Sequence, residues 1–332
     1  MDPTRPTTIS DSGPEQLLEL RNLRVRFHTS RGTVEAVKGI DLSVAAGRTL
    51  GIVGESGSGK SSACLSILGL HPHGTEVTGQ VVFGGKDLLP LPEKALRSIR
   101  GKDIGLVYQD PMAALNPVRP VGSQLREPLQ VHLGMSRRQA DDRAAELLAR
   151  VGIPSPRAQL RAFPHQFSGG MRQRIVIAMA IACEPALLLA DEPTTALDVS
   201  VQAQVLDLLR DLTDALGIAL VLVSHDLSVV AGLADHVAVM YAGEVVEQAP
   251  AGQLFAHPQH PYTAALLASA APVEAEDDDG AHGATLATDG MPLRQVTDRG
   301  AARNVAREDR LAKTDAPTST DRSPSDDARR TS

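Results

Sequence analysis

The segment GESGSGKSS sets Gly54, Glu55, Ser56, Gly57, Ser58, Gly59, Lys60, Ser61 and Ser62 in the pattern G-x-x-x-x-G-K-[ST]. Chemistry follows from the residue types. Backbone freed by glycine can wrap a phosphate with its N–H groups, and the N-terminus of a following helix adds positive dipole. Lys60 can reach the β- and γ-oxygens, and Ser61 is placed to ligate magnesium. A nucleotide site is therefore expected here. The run ALLLADEP supplies two carboxylates, Asp191 and Glu192, where an apolar strand would end. At the carboxyl edge of a buried parallel sheet, Asp191 can hold a magnesium ion through its water shell and Glu192 can polarise an attacking water.

A third feature is an anion site with no phosphate of its own. In FSGGMRQR (167–174), Ser168 is a good N-cap, and Gly169 and Gly170 leave the first backbone N–H groups of a helix uncovered. Such a site needs a ligand from elsewhere. His225 follows the run ALVLV and precedes Asp226, although a histidine on its own is more often an ordinary surface or core residue. Phe27, in LRVRFH, is equally readable as a strand residue in a sheet core.

The elements that must position these groups are legible in outline. TLGIV (49–53), IGLVY (104–108), ALLLA (186–190) and ALVLV (219–223) are short and almost uniformly apolar, as strands covered on both faces are. They predict a parallel α/β sheet. Residues Leu20 to Val44, together with QVVFGGKDL at 80–88, alternate between turn glycines and β-type runs and predict a small antiparallel sheet. Ser136 and Gln139 have capping-box spacing, with Gly152 and Pro154 to stop the helix that follows. A second helix is expected from about Gly169 to Cys183. Residues 1–18 read as a loose arm and 273–332 as a disordered tail, both polar and without apolar periodicity.

Composition narrows the function class. The 332 residues are 42% apolar and 22% charged, with a formal net charge of -7, so a globular chain without a global basic field is expected. Aromatics at 2% and no tryptophan weaken any base-stacking platform. The two cysteines, Cys64 and Cys183, make neither a disulfide framework nor a zinc site. The longest apolar stretch, Ile175 to Cys183, is about half of a bilayer span, and the N-terminal residues lack the apolar core of a secretion signal. A soluble, cytoplasmic protein is expected.

With VYQD at Gln109, TALD at Asp198 and VLVSHD at His225, these motifs fall in an order that resembles the ATP-binding subunit of an ABC transporter over roughly residues 20–250. The resemblance implies a RecA-like P-loop ATPase core with a small antiparallel β subdomain and a helical subdomain at about 112–179, within an ATP-binding domain spanning 19–272. It implies ATP and magnesium, with Ser61, Gln109 and Asp191 at the metal. Glu192, Gln109 and His225 would be catalytic and Asp198 the D-loop aspartate, while Phe27 would stack on adenine. Ser168, Gly169 and Gly170 would meet the ATP held by a second ATP-binding subunit, the same chain or another.

Two membrane permease subunits are further implied partners, contacted around Met112 to Pro120, and an extracellular solute-binding protein is implied indirectly. The place of work would be the cytoplasmic face of the cell membrane, bound peripherally. DPMAALNPVRPVGSQLREPL (110–129), the run from Asp191 to Leu209 and HPQHPYTAALLASAAP (257–272) are similar to the dipeptide, oligopeptide and nickel importers. Relatives there often carry a cysteine-bearing extension for an iron–sulfur cluster. No cysteine follows Cys183, so no such cluster is expected. Peptide is the implied cargo, with nickel or another small solute as alternatives. A non-transport ABC ATPase acting on nucleic acid or ribosomes would usually carry a coiled-coil insertion, zinc cysteines or two ATPase halves. None is visible, and no nucleic-acid partner is expected. A P-loop kinase would have no use for SGGMRQR.

Overall fold

The computed structural model describes residues 16–270 apart from residues 31 and 196. The arm before residue 16 and the tail after residue 272 lie outside the described residues. Two antiparallel strands, β1 (Gln16–Thr29) and β2 (Gly32–Ala45), are joined by β4 (Thr75–Phe83) and the two-residue β5 (Lys86–Asp87) in a sheet of order β2-β1-β4-β5. The arm is therefore shorter than its polarity implies. Gln16 to Leu18 already pair with β2, and Leu18 is buried against the core, so apolar burial sets the boundary.

The second sheet contains β3 (Thr49–Val53), β6 (Ile104–Val107), β7 (Leu187–Asp191) and β8 (Ala219–Ser224), the four apolar runs. Two strands beyond those runs complete it, β9 (His236–Tyr241) and β10 (Glu244–Pro250). Its order is β10-β9-β3-β8-β7-β6, parallel except for the antiparallel β9–β10 edge. The uniform apolarity of these strands has a direct cause. Leu187, Leu189, Val221, Val223, Ala238 and Met240 face a core shared with the antiparallel sheet and α1 (Lys60–Ile67). Their neighbours Leu188, Ala190, Leu220, Leu222, Val237 and Val239 face the opposite core. Alternate residues point to opposite faces, so both sets must be apolar when both faces are covered.

After β5 come α2 (Glu93–Ile99) and β6, followed by the helical part: α3 (Pro111–Ala114), α4 (Val121–Leu133), α5 (Arg137–Arg150), α6 (Pro156–Gln159) and α7 (Gly169–Ala180). The capping box is formed: Ser136 Oγ accepts from Gln139 N, and Gln139 Oε1 accepts from Ser136 N at 3.0 Å. The helix stops at Val151, where Gly152 N donates to Ala149 O. Helix α7 ends at Ala180, three residues before the expected Cys183. Among the described residues four further helices follow, α8 (Val199–Leu216), α9 (Leu227–Ala231), α10 (Ala251–Ala256) and α11 (Pro261–Ala270).

Candidate active site

Strand order explains how distant motifs meet. The phosphate-type loop leaves β3, His225 follows β8, Asp191 ends β7 with Glu192 next to it, and Gln109 follows β6. These four strands are consecutive neighbours with their carboxyl ends on one edge, where ligand crevices of parallel sheets form.

The loop is held by close backbone approach. Gly54 has φ +148°, and a Cβ there would lie 2.1 Å from Met240 O; Gly59 has φ +101°, and a Cβ would lie 2.3 Å from Ala36 O. Only glycine fits either place. Gly59 is the N-cap of α1 and offers no side-chain acceptor, so the first N–H groups of that helix remain available to an anion. Lys60 is folded back, its Nζ donating to Gly54 O and Glu55 O at 2.8 Å each. Burial pushes its ammonium below the usual range, opposed by the charges of Glu192 and Asp191.

Ser61 Oγ donates to Asp191 Oδ1 at 2.9 Å. Burial raises the Asp191 carboxyl, and the Ser61 hydrogen bond works against that rise. Glu192 has φ +46°, a strained conformation pinned by its N–H donating to Val223 O at 3.0 Å. Three side chains converge on its carboxylate. Gln109 Nε2 donates at 3.1 Å, Thr195 Oγ1 donates at 2.8 Å, and His225 Nδ1 lies 3.4 Å from Oε1. Thr195 lies within the run from Asp191 to Leu209, where nothing in its type or spacing separates it from Thr194. The Gln109 amide rests on Glu192, not on the Ser61–Asp191 pair.

Ser168 begins α7 as an exposed N-cap, its Oγ accepting from Met171 N at 3.4 Å. Gly170 abuts α8, where a Cβ would lie 2.5 Å from a Val201 methyl. Asp198 caps α8, accepting from Ser200 Oγ at 2.8 Å and Val201 N at 3.0 Å, and these hydrogen bonds, led by that from Ser200, hold its carboxyl below the usual range. Phe27 packs half-buried against the core between the sheets.

Two aromatic residues beside the loop carried no chemical role in the sequence. Tyr262, inside HPYT, accepts a hydrogen bond on its hydroxyl from Glu55 N at 3.2 Å, and its ring lies 4.5 Å from that of Tyr241 at the end of β9. Their separation in sequence hid the contact.

The family described as ABC transporter matches residues 37–195, and the oligopeptide/dipeptide transporter C-terminal region matches residues 246–292. The oligopeptide transport ATP-binding protein OppD of Bacillus subtilis (strain 168) is 50% identical over 266 residues, 80% of this chain and 74% of that protein. The dipeptide transport ATP-binding protein DppD of the same organism is 51% identical over 257 residues, 77% of each. A dimeric structure of an ATP-binding cassette in a post-hydrolysis state, bound to ADP and Pi, aligns with a TM-score of 0.63 at 28% identity, covering 70% of this chain and 98% of that one.

Proposed function

Because this chain belongs to the ATP-binding subunits of ABC transporters, in their oligopeptide/dipeptide branch, we propose that it hydrolyses ATP to power the import of peptides. The observation that carries the catalytic part is the Glu192 carboxylate, gripped by Gln109, Thr195 and His225 beside the Lys60 loop.

The triphosphate would lie along the loop, with the uncapped start of α1 receiving its charge. Lys60 must release the Gly54 and Glu55 carbonyls to reach phosphate oxygens, exchanging two neutral acceptors for an anion. Ser61 and Asp191 present hard oxygens within 2.9 Å of each other, a donor set that suits magnesium, and these two residues would hold it. Bound there, the ion would offset charge on the phosphates. Glu192 then orients and deprotonates water, and its three partners fix the direction from which it works. Gln109 also joins this group to the segment that begins at Asp110. Phe27 is the aromatic proposed to meet adenine.

Ser168, Gly169 and Gly170 would bind the ATP of a second ATP-binding subunit, as the dimeric cassette structure supports. A cavity of about 640 Å³ opens between the sheet edge and the helical part, lined by Tyr108, Ala113, Glu127, Val131 and His132 among others. Tyr108, Met112 and Val118 stand exposed beside it. An apolar, open groove next to Gln109 supports docking of a permease segment. No helix among the described residues is long and apolar enough to cross a membrane, so the pathway itself would be supplied by those subunits.

Reconstitution with two permeases and a partner ATPase tests the whole reading. ATP-dependent accumulation of a labelled peptide in vesicles is expected. Accumulation of nickel without peptide would replace the cargo, and nuclease-sensitive association without permeases would overturn transport.

A further inference from the structure

Glu55 N–H and Gly54 C=O belong to one peptide group, and both are engaged. The N–H donates to the Tyr262 hydroxyl at 3.2 Å, while the C=O accepts from Lys60 Nζ at 2.8 Å. A trans peptide is planar, with its N–H and C=O on opposite edges. Tyr262 and Lys60 therefore hold the two edges of the same plate, and rotation of that plate would break both hydrogen bonds.

Tyr262 is itself fixed from behind. Glu247 on β10 accepts from Gln259 N at 2.8 Å and His260 N at 3.0 Å, and His260 Nδ1 accepts from Tyr262 N at 3.1 Å at the start of α11. The ring leans on Tyr241, at 4.5 Å between centroids. Two residues past Tyr241, Gly243 N donates to Ser58 O at 3.0 Å, a second grip on the same loop. The HPYT segment thus reaches the phosphate loop through a continuous set of hydrogen bonds, 207 positions along the chain from Glu55 to Tyr262.

We propose that Tyr262 is a positioning residue for the phosphate loop, holding the Gly54–Glu55 peptide by its N–H edge when Lys60 leaves the C=O edge for phosphate, and so coupling nucleotide affinity to the docking of the HPYT helix. The inference builds on the reading of this loop as the ATP site. Without the hydroxyl the peptide loses its hold on the N–H edge when Lys60 turns from the C=O edge to phosphate, and ordering it then falls on the binding step. Hydrolysis once ATP is bound depends on Glu192 and its partners, which Tyr262 does not touch.

Tyr262→Phe keeps the ring and removes the hydroxyl. In the full chain, ATP affinity measured by calorimetry should fall about three- to ten-fold, the range for one lost hydrogen bond. The nucleotide-free melting temperature should hold. In the assembled transporter KM for ATP should rise while kcat at saturating ATP stays within about two-fold, a split that a general structural role would not give. Lys60→Ala serves as the control. If it binds ATP as the parent does, the ATP-site reading fails. If it loses binding while Tyr262→Phe matches the parent, the positioning role alone is overturned. Equal falls in kcat and kcat/KM for Tyr262→Phe would also overturn it. Should that variant not fold, Glu247→Gln loosens the same segment from the far side; unchanged ATP affinity in the folded variant would overturn the coupling.

Discussion

Helices α1 and α7 both begin at glycine-rich turns, yet their N-termini have opposite surroundings. The start of α1 is enclosed by its own chain: Met240 O and Ala36 O press on Gly54 and Gly59, Lys60 lies across the loop, and Asp191 takes the Ser61 hydroxyl. The start of α7 has Ser168 and Gly169 exposed, with α8 behind them. One terminus is equipped with the groups that phosphate chemistry needs. The other offers N–H groups, the Ser168 hydroxyl and the helix dipole, which bind an anion but do nothing further to it. The difference supports the proposal that α1 carries this chain's own phosphate site while α7 meets an anion held by another molecule.

Breaking the enclosed half should have the largest effect. Glu192→Gln removes the group proposed to deprotonate water while leaving the loop and Lys60 intact, so phosphate release should slow about 10²–10⁴-fold with ATP binding retained. Normal turnover in the assembled variant, with the partner's site silenced, would rule out the catalytic assignment.

Ser168→Arg attacks the open half. It places bulk and fixed charge at the start of α7 without touching Lys60, so ATP affinity of the isolated subunit should hardly change. Hydrolysis at the partner's site should fall about 100-fold or more, the scale for lost electrostatic stabilisation at a reacting phosphate. Phosphate release is compared in assemblies whose partner keeps or lacks its own catalytic glutamate. Loss of ATP binding in the isolated Ser168→Arg subunit would make α7 part of its own chain's site and collapse the contrast.

Glycine replacements sharpen the comparison in stability terms. At Gly54 the new Cβ meets a backbone carbonyl at 2.1 Å in a conformation that side chains rarely adopt, so Gly54→Ala should cost about 3 kcal/mol in urea melts. At Gly170 it meets only a Val201 methyl, which can turn away. Gly170→Ala should cost about 1 kcal/mol. A reversed order would mean that the open terminus is the more tightly built.

Truncation after Pro272 is expected to change least. The polar composition of 273–332 predicts an unaltered melting temperature and an unaltered ATP-induced shift. A large fall in either would bring that segment into the folded unit.

Local chemistry made much of this legible from sequence. The phosphate loop, the Ser136–Gln139 box and the Ser168 cap each depend on residues within a few positions of one another, and such signals survive without knowledge of the fold. The four apolar runs announced strands covered on both faces for the same reason, since alternate residues need a core on each side. Tertiary structure decided what could not be local. Strand order β3-β8-β7-β6 departs from chain order, and that order sets Gln109 and His225 beside Glu192. The β9–β10 hairpin and the HPYT helix bring Gly243 and Tyr262 onto a loop some two hundred residues earlier. A hydrogen bond is specified by atoms meeting at about 3 Å, and sequence spacing carries no such distance until the strands have paired.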